Sequence, residues 1–350
     1  MAEILLTIFF ISVLLFFLGS GIWVALSMIG VSAIGMMLFT SRPVGDAMAT
    51  TIWGTSSSWT LTALPLFVWM GEILFRTRLS ENLFKGLSPW MQKLPGGLIH
   101  VNVVGCALFA AISGSSAATV ATVGKMSIPE LRKRNYPEKI LLGSLAGSGT
   151  LGLLIPPSII LIIYGVAVQE SIAKLFIAGI IPGIMIALIF MSYVIIWSLI
   201  NKKSMPKIIE EYSFLEKIKR SKQLLPVIIL ILAVIGSIYT GIATATEAAS
   251  LGVVGALILS YFQKSLTFKT FKSSLLGATK TSCMIAFILA GSTFLSLAMG
   301  FTGLPRNLAL WIQNMDLSPY VLIFVLMIFY IILGMFLDGI SAVVLTMAII

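Results

Sequence analysis

The chain of 350 residues is poor in the groups that soluble proteins display and that most enzymes use in their sites. Only 10% of its residues are charged, it has a single histidine, and its two cysteines, Cys106 and Cys283, lie far apart in apolar segments. There is no CxxC spacing and no cysteine-rich framework, which argues against a disulfide scaffold or a thiolate metal centre. Scarce charge together with 58% hydrophobic residues and repeated apolar runs of about 17 residues or more excludes a soluble globular domain. A basic leader is also missing before the first apolar run, Ile4 to Leu18, and a second run, Ile22 to Phe39, follows at once. The first run therefore reads as a retained span and not as a signal peptide.

What remains is the pattern of a polytopic helical membrane protein. Besides the first two spans, apolar stretches predict spans over 61–75, 140–165, 172–200, 224–239, 247–262 and 281–299. The net charge of +10 would suggest a nucleic-acid partner in a soluble protein, whereas here its distribution reports orientation. With the N-terminus outside, the segments 76–93, 132–139, 202–222 and 264–280 all fall inside, and they hold 19 of the 23 Lys and Arg residues. Arg42, Lys174 and Arg306 are left for the outside, with Lys125 near a membrane surface. The positive-inside bias thus predicts an N-terminus on the outside, and the charge then calls for no nucleic-acid partner.

Between the spans, positions 79–94 place Leu79, Leu83, Phe84, Leu87, Trp90, Met91 and Leu94 on one helical stripe, which predicts an interfacial or brace helix that tolerates Pro89. Residues 266–277 form a weaker second case, and 202–222 reads as a solvated basic loop. The run 98–128 is apolar at both ends and polar at its centre, too long for one simple span and too short for two. A hairpin that enters from the inside, turns at Ser113, Gly114, Ser115 and Ser116, and returns to Arg132 satisfies both length and charge. Such a turn at membrane depth must face protein or water, because lipid cannot satisfy its backbone.

A shift of 225 residues aligns Ser113-Gly114 with Asp338-Gly339 and Ser116-Ala117 with Ser341-Ala342. The second candidate hairpin, from near Val321, follows an inside-to-outside span and must enter from the outside. The two halves would then be inverted repeats, as in many secondary transporters. Between the hairpins, 146–165 has the length of a span but carries Pro156 and Pro157 beside Gly147, Ser148, Gly149 and Thr150. Adjacent prolines remove two backbone donors and force an unwound stretch. Its carbonyls and hydroxyls offer neutral oxygens to a hard cation, and the N-terminus of the following half-helix offers partial positive charge to an anion. The same glycines would also permit close helix packing, with the prolines shaping a kink.

At this point the sequence resembles the large membrane subunit of tripartite ATP-independent periplasmic (TRAP) transporters. The resemblance is carried by LPLFVWMGEIL (64–74), ISGSSAATVATVGKMSIPEL (112–131), GSGTLGLLIPPSIILIIYGV (147–166), KLFIAGIIPG (174–183), TATEAASLGVVGAL (244–257) and FLDGISAVVLT (336–346), in order along the whole chain. It implies an all-α, elevator-type inverted-repeat carrier with two re-entrant hairpins and broken helices, in the bacterial inner membrane. It further implies sodium-coupled uptake of an organic acid, such as a C4-dicarboxylate, delivered by a periplasmic solute-binding protein, with a small membrane subunit as brace. No cofactor is implied, and sodium serves as the coupling ion. Carried over residue by residue, the ion and substrate site comprises Ser113, Gly114, Ser115, Ser116, Gly147, Ser148, Gly149, Thr150, Pro156 and Pro157, with Ser113, Ser115, Ser148 and Thr150 as sodium candidates. The second hairpin, from Phe336, adds Asp338, Ser341 and Thr346 as candidate ligands or supports.

The implied organisation is an N-terminal scaffold with its arm helix (1–97), a first hairpin and broken helix (98–166), scaffold spans with a basic loop and a second interfacial helix (167–280), and the start of the second repeat (281–350). A second broken helix with its own Pro-Pro would fall near position 380, so the chain reads as incomplete at its C-terminal end. Of the intramembrane acids, Glu72 and Asp338 are candidates for function, whereas Glu247 after Thr244 suits a helix N-cap. His100 suits packing at the start of the first hairpin. Two other readings compete with this one. A serine hydrolase using the SGSS turn with His100 lacks a third orienting group and a GxSG pattern, and a stand-alone ion-coupled carboxylate carrier of another inverted-repeat family shares the same gross architecture.

Overall fold

Inside a bilayer only the chain itself can satisfy backbone N–H and C=O groups, so a sequence this apolar is driven to helices. The computed structural model describes residues 2–76, 79–206, 212–222, 224–335 and 339–346, and among the described residues there are seventeen α-helices, three 3-10 turns and no strand. The N-terminal runs form α1 (Ala2–Gly19) and α2 (Val24–Phe39), followed by α3 (Val44–Ser56). Then α4 (Ala63–Phe75) and α5 (Leu79–Met91) lead to α6 (Ile99–Ser113), α7 (Ser116–Lys133) and α8 (Glu138–Gly149). After a 3-10 turn at Thr150–Leu153 come α9 (Ile159–Val168), α10 (Ile172–Ile200), α11 (Phe214–Ser221), α12 (Leu225–Tyr239) and α13 (Ala245–Phe262). The chain continues through α14 (Phe268–Thr302), α15 (Leu304–Gln313), α16 (Pro319–Gly334) and α17 (Gly339–Thr346). Individually, α10, α13 and α14 are long and apolar enough to cross a membrane.

The helices group into two compact units, one of Met1–Leu61, Val166–Gln169 and Ser282–Ile350, the other of Thr62–Gly165 and Glu170–Thr281. In the first unit, Met36 of α2 packs on Phe294 and Ala298 of α14, with Val44, Ala47 and Met48 of α3 at the edge. Gly35 admits the Phe10 ring, which would stand 2.5 Å from a Cβ placed there. Three threonines interrupt the apolar pattern of α3. Thr50, Thr51 and Thr55 donate their hydroxyls to carbonyls one turn back, which satisfies these polar groups within the helix itself.

In the second unit α6, α7 and α8 pack on one another and on α4, α5 and α10. The stripe of α5 is turned inward: Leu83, Phe84 and Leu87 are buried. Within the expected solvated loop 202–222, residues 214–221 form the helix α11, which has no buried residue and touches α5. The Trp90 indole N–H donates to the Ser221 hydroxyl at 2.7 Å, Phe214 meets the Trp90 ring edge-on and the Lys217 ammonium lies 5.4 Å from the ring centroid. An aromatic beside serine and lysine lets a basic segment dock without losing its charge to lipid. A correction concerns 266–277 and 281–299, which were expected as an interfacial helix and a separate span. They form the continuous helix α14, because no proline separates them and the single intervening glycine costs about 1 kcal/mol relative to alanine. Trp69 of α4 secures the N-terminal part, stacking edge-on against Phe271 and donating to the Ser274 hydroxyl at 3.3 Å.

Candidate functional site

The Pro-Pro stretch is broken as its sequence requires. α8 tightens into the 3-10 turn Thr150–Leu153, the backbone is non-helical to Ser158, and α9 begins at Ile159. At 1.5 Å per residue, α8 and α9 are about 18 and 15 Å long, each close to half of a hydrocarbon core about 30 Å thick. Ser158 relieves the break from within, donating its hydroxyl to the Leu153 carbonyl at 2.6 Å. Leu154 and Ile155 lie on small residues of α10: a Cβ at Gly179 would stand 2.7 Å from the Leu154 carbonyl oxygen, and one at Gly183 would stand 2.9 Å from Ile155.

The hairpin turn is seated on this break. α6 ends at Gly114, whose φ of +57° is the left-handed conformation that closes a helix without a Cβ penalty. A Cβ there would stand 3.0 Å from the Pro157 carbonyl oxygen and from the Ile159 nitrogen. Ser115 caps α7, accepting from the Ala118 N–H at 3.4 Å. The backbone of Ser115 and Ser116 lies against Gly152, where a Cβ would come within 3.2 Å of it, and Gly149 leaves room for Val120. Thus the carbonyl ends of α6 and of the 3-10 turn, and the amide ends of α7 and α9, meet in one place. That juxtaposition offers oxygen donors to a cation and positive helix ends to an anion.

The individual side chains divide clearly. The Ser116 hydroxyl is buried with no partner. Ser148 is buried and donates to the Ser144 carbonyl at 2.5 Å, while Thr150 donates to the Gly147 carbonyl at 2.7 Å. A hydroxyl that donates its proton keeps lone pairs for a further ligand. Gly147 is covered by the Phe190 ring of α10. Ser113 ends α6, and its side chain lies outside the described residues. Around Ser148 the structure adds residues that the sequence reading missed. Asn102 donates to the Leu141 carbonyl at 3.2 Å and to the Ser144 hydroxyl at 3.0 Å, leaving its own carbonyl oxygen buried and unpartnered. Thr122 and Ser127 of α7 also carry buried, unpartnered hydroxyls. An asparagine inside an apolar helix was the available signal. At the hairpin base, Tyr136 accepts from the Leu98 N–H at 3.1 Å, and burial pushes its phenol above the usual value.

Of the second hairpin, Phe336 and Asp338 lie outside the described residues. Ser341 and Thr346 are buried in α17, and the Thr346 hydroxyl sits 2.7 Å from that of Tyr330 in α16. Ser292 of α14 donates to the Val344 carbonyl. The 225-residue offset gains further matches here: Leu79, Asn82 and Leu83, which open α5, map onto Leu304, Asn307 and Leu308, which open α15. Gly339, the counterpart of Gly114, opens α17.

The remaining acids have local roles. Glu72 pairs with Arg76 one turn on at 2.7 Å. Glu247 completes a capping box, accepting from the Thr244 N–H at 2.8 Å while its own N–H donates to the Thr244 hydroxyl. His100 is buried with Nε2 2.8 Å from the Pro95 carbonyl. It opens the helix that Ser113 closes, so about 20 Å of helix separates the two, which rules out a serine–histidine dyad.

The profile of the family described as "Tripartite ATP-independent periplasmic transporter, DctM component" matches residues 9–350. The chain is 32% identical to the C4-dicarboxylate TRAP transporter large permease protein DctM of Pseudomonas aeruginosa, over 90% of this chain and 73% of that protein. It is 30% identical to the sialic acid TRAP transporter large permease protein SiaM of Vibrio cholerae, over 92% and 75%. It is 29% identical to the isethionate TRAP transporter permease protein DctMQ of Oleidesulfovibrio alaskensis, over 94% of this chain and 51% of that one. A helical membrane chain matched over nearly its whole length, with its serine turn seated on a Pro-Pro break, belongs to the DctM family: it is a large permease component of a TRAP transporter and not an enzyme.

Proposed function

We propose that this chain forms the translocation pathway of a sodium-coupled importer of organic anions in the bacterial inner membrane, with its N-terminus periplasmic. Substrate arrives from a periplasmic solute-binding protein, and a small membrane subunit braces the permease. The observation that carries this reading is the seating of the Ser113–Ser116 turn on the break at 150–158, which gathers neutral oxygens and helix N-termini at one point. The sodium candidates are the hydroxyls of Ser113, Ser115, Ser148 and Thr150 with backbone carbonyls; the unpartnered Ser116 hydroxyl joins those at the turn, whereas the Ser148 hydroxyl lies 3.5 Å from the Asn102 carbonyl and belongs to a separate set of oxygens. Among the described residues no cluster of three His, Cys, Asp or Glu side chains is present, so the donors at the turn are hydroxyls and carbonyls, as a hard cation prefers.

The amide ends of α7 and α9 support an anionic substrate, since they favour an anionic head. The relatives named for C4-dicarboxylate, sialic acid and isethionate share that feature, a carboxylate or sulfonate. The block around 98–166 is the moving part, and Asp338, Ser341 and Thr346 of the second hairpin are further candidate ligands or supports.

The test is uptake by the complete transporter in proteoliposomes, with a C4-dicarboxylate, sialic acid and isethionate as probes. Accumulation that requires an inward sodium gradient, and a half-saturating sodium concentration raised severalfold in Ser116→Ala and Ser148→Ala at equal protein levels, supports the reading. Uptake driven equally well without sodium, or sodium dependence unchanged in both variants, overturns it.

A further inference from the structure

The N-terminal part of α14 and the C-terminal end of α4 enclose an open cleft of about 410 Å³ lined by Arg76, Lys269, Lys272, Ser273, Leu276 and Lys280. Positions 269, 272, 276 and 280 recur at helical spacing, so three lysines share one face of α14. Like charges at that spacing repel, and among the described residues none of the three has an ion-pair partner. The fourth cation of the lining, Arg76, is already paired: Glu72 holds it at 2.7 Å. Gly277 keeps that pair in place, since a Cβ there would stand 2.7 Å from the Glu72 carboxylate and 3.1 Å from Arg76 Nη2. The lining therefore carries three unbalanced positive charges over an internally neutral floor. Beside them Leu276 lies in the cleft, and Phe268 and Leu275 are exposed next to it.

We propose that this cleft binds a phosphate group, and that its occupant is the headgroup of an anionic phospholipid. Three ammonium groups at one end of a membrane helix attract a phosphodiester, and a cleft of this size accommodates the headgroup with the first part of an acyl chain. The exposed Phe268, Leu275 and Leu276 give that chain an apolar track, which a free phosphate ion would not use. The inner-leaflet placement rests on the orientation proposed above; the cleft and its charge do not.

The experiment measures lipid binding to the purified complete permease in neutral detergent, by native mass spectrometry and by thermal unfolding. The probes are phosphatidylglycerol, phosphatidylcholine and inorganic phosphate. The cleft variant is K269Q/K272Q/K280Q, and K202Q/K203Q/K222Q removes the same charge elsewhere. The expected result is binding of phosphatidylglycerol over phosphatidylcholine, weakened at least about tenfold in the cleft variant and unchanged in the control. Failure of inorganic phosphate to compete identifies the lipid as the source, and full competition identifies a free phosphate in the same cleft. Equal loss in both variants, or undiminished phosphatidylglycerol binding in the cleft variant, overturns the proposal. Because binding is read without transport, that outcome leaves the sodium-coupled reading standing.

Discussion

Helix α6 and helix α16, which the 225-residue offset pairs with it, have nearly opposite surroundings. Along α6, Ile99, His100, Val101, Asn102, Val103, Cys106, Phe109 and Ala110 are fully buried. Along α16, no residue is buried, and Ile323, Phe324, Met327, Ile331 and Ile332 are each about half exposed or more. Composition separates them as clearly as position does. α6 is built from small and polar residues that let neighbouring backbones approach, whereas α16 is almost uninterrupted bulky aliphatic and aromatic surface. Small and polar residues mark a helix surrounded by protein, because lipid repays neither their close packing nor their hydrogen bonds. A hairpin limb is thus recognisable as protein-buried or free-faced before its neighbours are known.

The largest effect that would test this contrast comes from filling the contact beneath the first turn. Gly152→Val is expected to reduce sodium-driven uptake at least about tenfold and to cost roughly 1–3 kcal/mol of stability, because the nearest atoms to an added Cβ are backbone atoms of Ser115 and Ser116, which cannot swing aside. Uptake and thermal unfolding on the same preparation read both. Next in size is Asn102→Leu, which removes two hydrogen bonds in the crowded centre of α6–α8. It should cost about 1–2 kcal/mol; a cost below that of Tyr330→Phe, which loses only the Thr346 contact, would show that α6 is no more tightly held than α16. Trp90→Phe keeps the ring and loses the bond to Ser221, and limited proteolysis should then cut 202–222 faster with a stability loss of about 0.5–1.5 kcal/mol. The smallest effect is expected on the exposed limb, where Ile331→Ala should change stability by no more than about 0.5 kcal/mol.

Much of the first repeat was legible in the sequence because its signals are local. Gly114 closes a helix, Ser115 caps the next, and two prolines cannot continue α8, so the turn and the break follow from residues alone. The meeting of Gly114 with Pro157 and of Gly152 with Ser115 was foreseeable only as a suggestion, since no local rule brings 114 to 157. Segments governed by tertiary contacts were misread. Lysines made 202–222 resemble a solvated loop although Trp90 and Phe214 recruit part of it, and a basic stretch suggested a helix boundary within α14 where none exists. The Leu79, Asn82, Leu83 match to Leu304, Asn307, Leu308 was present in the sequence, but in an amphipathic helix three such identities draw attention only once both helices are seen to begin at equivalent positions.

The contacts of the Pro-Pro stretch with α10 bear on what can travel during transport. Gly179 and Gly183 accept Leu154 and Ile155, Phe190 covers Gly147, and Ile186, Ala187 and Met191 pack on the cluster of Val103, Ala110 and Leu151. A cargo carriage bounded at residue 166 would have to shear through all of these at every stroke. If the block around 98–166 moves as proposed, the middle of α10 is expected to move with it.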